Sequence, residues 1–286
     1  MGTSGAYGGS GSAAWEAVRE GWAGLGDAGA PAAADGAANP PPSEQPPDTP
    51  PPPDPAYDAL GHALANALAP PRRHGQAPPL AALLPRPRGS GGGPSGGGGA
   101  GTDGYGGRAG GRSGRNAPLQ AARGGAAIGA ATAYRERDAT ALARYGATLD
   151  ELDRLSPRMR TARLLDLVLG DAGHPDEAVI RKSAAEQVKK ILDQDAVPPS
   201  AAESVRNFIG EITLQYGLVE LKDQILSGAT TGRQATYKEQ GLRQWIRAKL
   251  RTLDLGQYGA VTAANCHGVA YALWRDALRL IAARPS

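Results

Sequence analysis

Between residues 131 and 286 apolar side chains recur every three to four positions, which is the period of one helix face. Val179/Ile180, Ala184, Val188 and Ile191/Leu192 make one such stripe. Val205, Phe208/Ile209, Ile212, Tyr216 and Val219 make a second; Leu242, Ile246, Leu250 and Leu253 a third; and Val269, Leu273, Ala277 and Leu280/Ile281 a fourth. Start signals precede several of these runs. Thr148 with Glu151 and Ser200 with Glu203 fit the capping box, and Ser156-Pro157 places a capping Ser ahead of a first-turn Pro. Stops are expected at Gly146, Gly170, Pro198-Pro199, Gly228 and Gly256. No alternating β-branched run predicts a strand. The expected class is all-α: an irregular bundle of about seven helices over 118–286.

Before this region the pattern breaks up. Residues 1–130 hold 30 of the 41 Gly and 19 of the 24 Pro, but only 10 of the Ile, Leu, Val and Phe, against 36 in the remainder. Such a composition buries too little apolar surface to offset backbone entropy. Residues 1–117 are therefore expected to form a long disordered Gly/Pro-rich tail. Two short amphipathic patches interrupt it. Trp15, Val18, Trp22 and Leu25 share one face of a helix near 13–25, and Tyr57, Leu60, Leu64 and Leu68 share one face of a second near 55–69. Burying four such side chains is worth about 8 kcal/mol at most, whereas ordering each residue costs ~1–2 kcal/mol. Neither helix is stable alone, so both are expected to dock on the home domain or on a partner.

Charge and chemistry narrow the function classes. The chain carries 31 Lys and Arg against 28 acids, a net charge of +3, too weak a bias to argue for nucleic acid by itself. A Gly-rich stretch with Arg108, Arg112 and Arg115, followed by Arg123, offers nucleic-acid binding as the alternative function. No apolar run approaches the ~20 residues that span a bilayer. The opening residues lack a basic segment followed by an apolar core, and the single cysteine, Cys266, has no intramolecular partner, so a cytoplasmic location is expected. The four histidines have no metal-ligand spacing. Cys266-His267 diverge on a helix, and Asp150, Glu151 and Asp153 suit the first turn of one. The chain is not expected to be an enzyme, to bind a metal or to carry a cofactor.

The opening Met1-Gly2 suits methionine removal, which leaves Gly2 as an unhindered amine with a pKa of about 8 on a long arm. The segment MGTSGAYGGSGS, the Pro- and Gly-rich region after it, and the stretch IGAATAYRERDATALARYGATLDELDRLSPRMRTARLLDLVLGDAGHPDEAVIRKSAAEQVKKIL resemble the QatB family, components of bacterial Qat anti-phage defence systems. The resemblance implies genomic neighbours: an ATPase, a TatD-like nuclease and a QueC-like enzyme that activates a carboxy-deazaguanine with ATP and joins it to an amine. It also implies a scaffold and protein substrate, with Gly2 as the acceptor amine, or Gly5 or Gly8 after proteolysis. The two tail patches would then be partner-docking segments.

Overall fold

A computed structural model describes residues 13–25, 55–69, 76–85, 117–170, 175–193, 195–226 and 232–283. Among them every regular element is helical. In chain order they are α1 (Ala13–Gly24), α2 (Pro55–Leu68), α3 (Leu80–Leu83), α4 (Ala117–Arg135), α5 (Ala139–Ala143), α6 (Leu149–Asp153), α7 (Pro157–Leu169), α8 (Pro175–Leu192), α9 (Ala201–Leu226), α10 (Gly232–Arg251) and α11 (Cys266–Ala282). A 3-10 turn at Leu255–Tyr258 separates the last two. The all-α class is as the periodicity predicts. From residue 117 onward the described residues form eight α-helices, more than the seven expected, because the short α5 and α6 carry too few turns to show a repeat.

The centre of the bundle is α4, APLQAARGGAAIGAATAYR, which packs against α7, α8, α9 and α11. It is buried nearly all round, so its apolar positions trace no stripe. Its glycines set how close the neighbours come. A methyl at Gly124 would lie 1.9 Å from Phe208 Cζ on α9. One at Gly125 would lie 2.4 Å from Ala270 Cβ and 2.7 Å from the Cys266 carbonyl oxygen, both on α11. One at Gly129 would lie 2.5 Å from the Ala263 carbonyl oxygen. Three glycines cost this helix about 3 kcal/mol of propensity relative to alanine. The close approach they permit returns that cost through the burial of Phe208, Ile212, Leu273 and Trp274, each worth roughly 1.5–3 kcal/mol.

Several of the local signals hold. Ser200 and Glu203 form the reciprocal capping box: Glu203 N–H donates to Ser200 Oγ at 3.2 Å, and Ser200 N–H to Glu203 Oε2 at 3.1 Å. Thr148 accepts from Glu151 N–H at 3.2 Å, but the Glu151 carboxylate turns to Arg163, 2.6 Å away, instead of closing the box. Gly146 and Gly170 end their segments with positive φ. Gly256 does not; it lies inside the 3-10 turn, and the positive φ comes three residues later at Gly259. Gly228 and the side chain of Val219 lie outside the described residues.

Of the two docking surfaces expected for the patches before residue 118, the home domain is the one the packing shows. One continuous apolar core includes Trp15, Val18, Trp22 and Leu25 of α1 and Leu60, Leu64 and Leu68 of α2, together with the interiors of α4 and α7–α11. These two helices therefore belong to the same folded body as the rest, and the boundary expected at 117/118 does not divide the packing. The surface they required for stability is the chain's own: α2 lies against α11 and α10, and α1 against α2 and α9.

Candidate functional site

The reading from sequence puts the chemistry at Gly2, so the structural question is what holds the neighbouring chain. Residues 1–12 lie outside the described residues, and α1 begins at Ala13. Val18 and Trp22 are fully buried. The Trp22 carbonyl, in the last turn of α1, accepts from Lys238 Nζ of α10 at 3.2 Å. A cation there satisfies an end carbonyl and complements the negative end of the helix dipole.

The partner of α1 is α2, and α2 is keyed to α9 and α10 by glycine slots. Gly61 faces the Trp245 ring so closely that a methyl would meet Cη2 at 2.1 Å. Gly241 leaves room for Tyr57, whose hydroxyl would be 2.0 Å from a methyl there, and Gly217 receives Leu64. Polar clamps flank the slots. Lys249 Nζ lies 3.0 Å from Asp58 Oδ1 and 5.3 Å from the Trp245 ring centre. His62 Nδ1–H donates to the Ala282 carbonyl at 2.8 Å, tying α2 to the end of α11. Asp58, His62, Lys238 and Lys249 were absent from the sequence-based candidates. Their signal was faint: Asp58 and His62 stand four apart beside the apolar stripe of α2, a spacing that puts them on one flank.

All eight proposed partner-docking residues are thus occupied. Trp15, Val18, Trp22, Leu25, Leu60, Leu64 and Leu68 are buried and Tyr57 is half-buried, each against this chain's own core. The anchoring also sets the reach of Gly2. Ten residues lie between it and Ala13, so its amine can extend no further than about 40 Å from the start of α1. The arm is an order of magnitude shorter than a tail running to residue 117 would give.

Among the described residues, Arg123, Cys266 and Asp153 have structural partners. Arg108, Arg112 and Arg115 lie outside the described residues. Arg123, the fourth cation of the nucleic-acid alternative, is turned inward: Nη2 donates to the Leu169 carbonyl at 2.7 Å and Nη1 lies 3.7 Å from Glu177. Cys266 is fully buried, its thiol donates to the Thr262 carbonyl at 3.1 Å, and burial pushes its pKa up to about 12. A thiol so held is protonated at neutral pH and is a poor nucleophile. Burial pushes the pKa of its neighbour His267 down.

The acidic group around residue 150 is likewise structural. Asp153 accepts from both Arg137 guanidinium nitrogens and from the Tyr134 hydroxyl, all at 2.7 Å. These bonds, Arg137 first, hold its carboxyl well below the usual range. Arg137 itself sits at φ 57°, a left-handed position costly for a side-chain-bearing residue, at the turn out of α4. No group of three or more His, Cys, Asp or Glu among the described residues would hold a metal ion. Among the same residues no helix is long and apolar enough to cross a membrane.

Nothing matched. Comparisons with protein-family models, with curated proteins and with solved structures found no relative of this chain.

Proposed function

We propose that this chain is a non-enzymatic subunit of a bacterial anti-phage defence system, serving as scaffold and as protein substrate for a QueC-like enzyme that acylates the Gly2 amine. The observation that carries the reading is the anchoring of α1, which begins at Ala13 and is held to the bundle by buried Val18 and Trp22 and by Lys238 on the Trp22 carbonyl; with Met1 removed, Gly2 would be an amine on a short arm before it. The support from sequence is the resemblance of the opening residues and of most of 118–286 to QatB proteins.

The chemistry asks little of the substrate. The carboxyl of a carboxy-deazaguanine, activated with ATP, forms a C–N bond to the unprotonated Gly2 amine; the activating group departs and the amine's surplus proton passes to solvent. An α-amine with a pKa of about 8 supplies its neutral form near neutral pH. Gly2 has no side chain to obstruct a narrow entrance. The anchoring adds a requirement: the enzyme's catalytic centre must come within about 40 Å of Ala13, so it must dock on the bundle face around the start of α1. The ATPase and the TatD-like nuclease are the further proposed partners, and the site is a cytoplasmic one.

The test is the intact mass and the N-terminal peptide mass after expression with and without the QueC-like neighbour. The reading expects an added mass on the glycine amine only when the neighbour is present, and none in a chain lacking residues 2–12, whose bundle still folds. An unmodified N-terminus in both backgrounds, or modification of the shortened chain, overturns it.

A further inference from the structure

A cleft of about 320 Å³ opens between α1 and α2. Ala14, Ala17 and Gly21 of α1 and Ala59 and Ala63 of α2 give it apolar walls. Ala17 and Ala59 are exposed, so the cleft opens to solvent. Its size lies at the lower end of the ~300–1,000 Å³ of pockets that enclose a small molecule. Glu20 and His62 are its ionisable lining residues. His62 Nδ1–H is spent on the Ala282 carbonyl, which leaves Nε2 of the neutral ring as an acceptor. Glu20 offers a second acceptor in its carboxylate. The walls therefore suit a flat apolar body, and the acceptors suit a donor at its tip. Tyrosine combines the two.

The chain brings a tyrosine to the edge of this cleft. Tyr7 stands six residues before Ala13, and Ala14 already lines the cleft. Six residues span at most about 20 Å, whereas α1 from Ala14 to Gly21 is about 10 Å long. To enter, the chain must reverse direction ahead of α1. Gly8, Gly9 and Gly11 stand between Tyr7 and Ala13, and glycine takes the positive-φ conformations of tight turns without steric cost. A tether this short gives its side chain an effective concentration of millimolar order. The other stretch next to the cleft, residues 26–54 between α1 and α2, contains no Leu, Ile, Val, Met or aromatic residue.

We infer that the cleft between α1 and α2 is the seat of this chain's own segment 1–12, with the Tyr7 ring between the alanine walls and its hydroxyl donating to Glu20 or to His62 Nε2. Gly2 stands five residues before Tyr7, so seating the ring confines its amine to within about 18 Å of the cleft. The seat does not rest on the proposed acylation, and an N-terminus that is never modified leaves it standing.

The test is chymotrypsin digestion of the full native chain, with mass spectrometry following the Tyr7–Gly8 bond and a synthetic peptide of residues 1–12 as the unprotected reference. Cleavage tracks the fraction of molecules whose seat is empty, so the bond in the chain should be cut about tenfold more slowly than in the peptide. Ala17→Leu and Ala59→Gln fill the cleft from opposite sides, at exposed positions and with little change in helix propensity. Each should return the bond to the peptide's rate while the thermal unfolding midpoint stays the same. The two lie on different helices, so a variant that unfolds leaves the other to decide. Cutting of the native chain at the peptide's rate overturns the proposal, as does protection that survives in the folded variants. Protection that rises with protein concentration also overturns it, by giving the cleft to a second copy. So does protection of Tyr105–Gly106 that both variants abolish while Tyr7–Gly8 is cut freely, since the occupant would then be the chain's other Tyr-Gly-Gly segment.

Discussion

Trp22→Ala tests whether α1 is part of the bundle. The indole is fully buried in a helix that packs against α2 and α9, and Gly21 next to it lets the Leu60 backbone approach, a methyl there lying 3.2 Å from Leu60 Cα. A tryptophan of this kind removes about 200 Å² from water, which at ~25 cal/mol per Å² is about 5 kcal/mol. Two terms reduce the loss. Alanine retains about 1 kcal/mol of that burial, and the Trp22 indole Nε1 has no partner in the fold, so its removal recovers roughly 1 kcal/mol of desolvation. The expected cost is therefore ~3 kcal/mol, inside the range for tryptophan truncations in cores.

The assay is urea unfolding of the full chain followed by far-ultraviolet circular dichroism, which reports all helices together. A single transition displaced to lower urea with the same slope is expected. An unchanged midpoint would refute the reasoning, since it would mean that α1 detaches before the rest unfolds. A separate early transition in the wild-type chain, abolished by Trp22→Ala, would refute it equally, by making α1 and α2 a subdomain of their own. Either result would lengthen the tether on Gly2 well beyond about 40 Å.

Two further outcomes follow from the geometry. Gly124→Ala places a methyl against the Phe208 ring and should lower stability by about 1–3 kcal/mol, whereas Gly268→Ala, with open space around it in the first turn of α11, should raise it by ~0.5–1 kcal/mol. Thermal unfolding of both variants checks the contrast, and a shift of the same sign in both would contradict the packing described for α4. Because the folded pKa of Asp153 is depressed by Arg137 and Tyr134, its carboxylate favours the folded state above the ordinary carboxylate range, and that contribution is lost as pH falls below about 4 toward the folded value. Asp153→Asn should flatten this part of the stability profile in urea titrations between about pH 5 and 2; an unchanged slope would show that the Arg137 pair contributes nothing.

The helices from α7 to α11 were legible because each is half-buried, and half-burial writes a stripe of period 3.6. The central helix α4 was legible only as a start near Pro118, since alanine and glycine on every side leave no contrast between faces. The faces of α1 and α2 were visible, but not what covers them. That depended on Trp245, Gly217 and Gly241, more than 150 residues away, and a glycine slot becomes meaningful only once its neighbour is in place. The cleft between α1 and α2 was hidden for a related reason. Ala14, Ala17 and Gly21 lie on one helix and Ala59 and Ala63 on another, and small residues enclose a space only once the two are packed together.

The central helix meets its closest partner last. α4 receives α11 across Gly125 and Gly129, and α2 is tied to Ala282 at the end of that helix. On a ribosome adding about 5–20 residues each second, Trp22 and Leu60 wait on the order of 10–50 s before Leu273 and Trp274 are made. Until α9 and α10 are made, the faces of α1 and α2 have only each other, and α2 lacks its α11 contacts until the end. The Gly- and Pro-rich run between α1 and α2 is poor in side chains that promote aggregation. A nascent chain stalled before Cys266 therefore lacks the surface that α11 lays against α4 and α2.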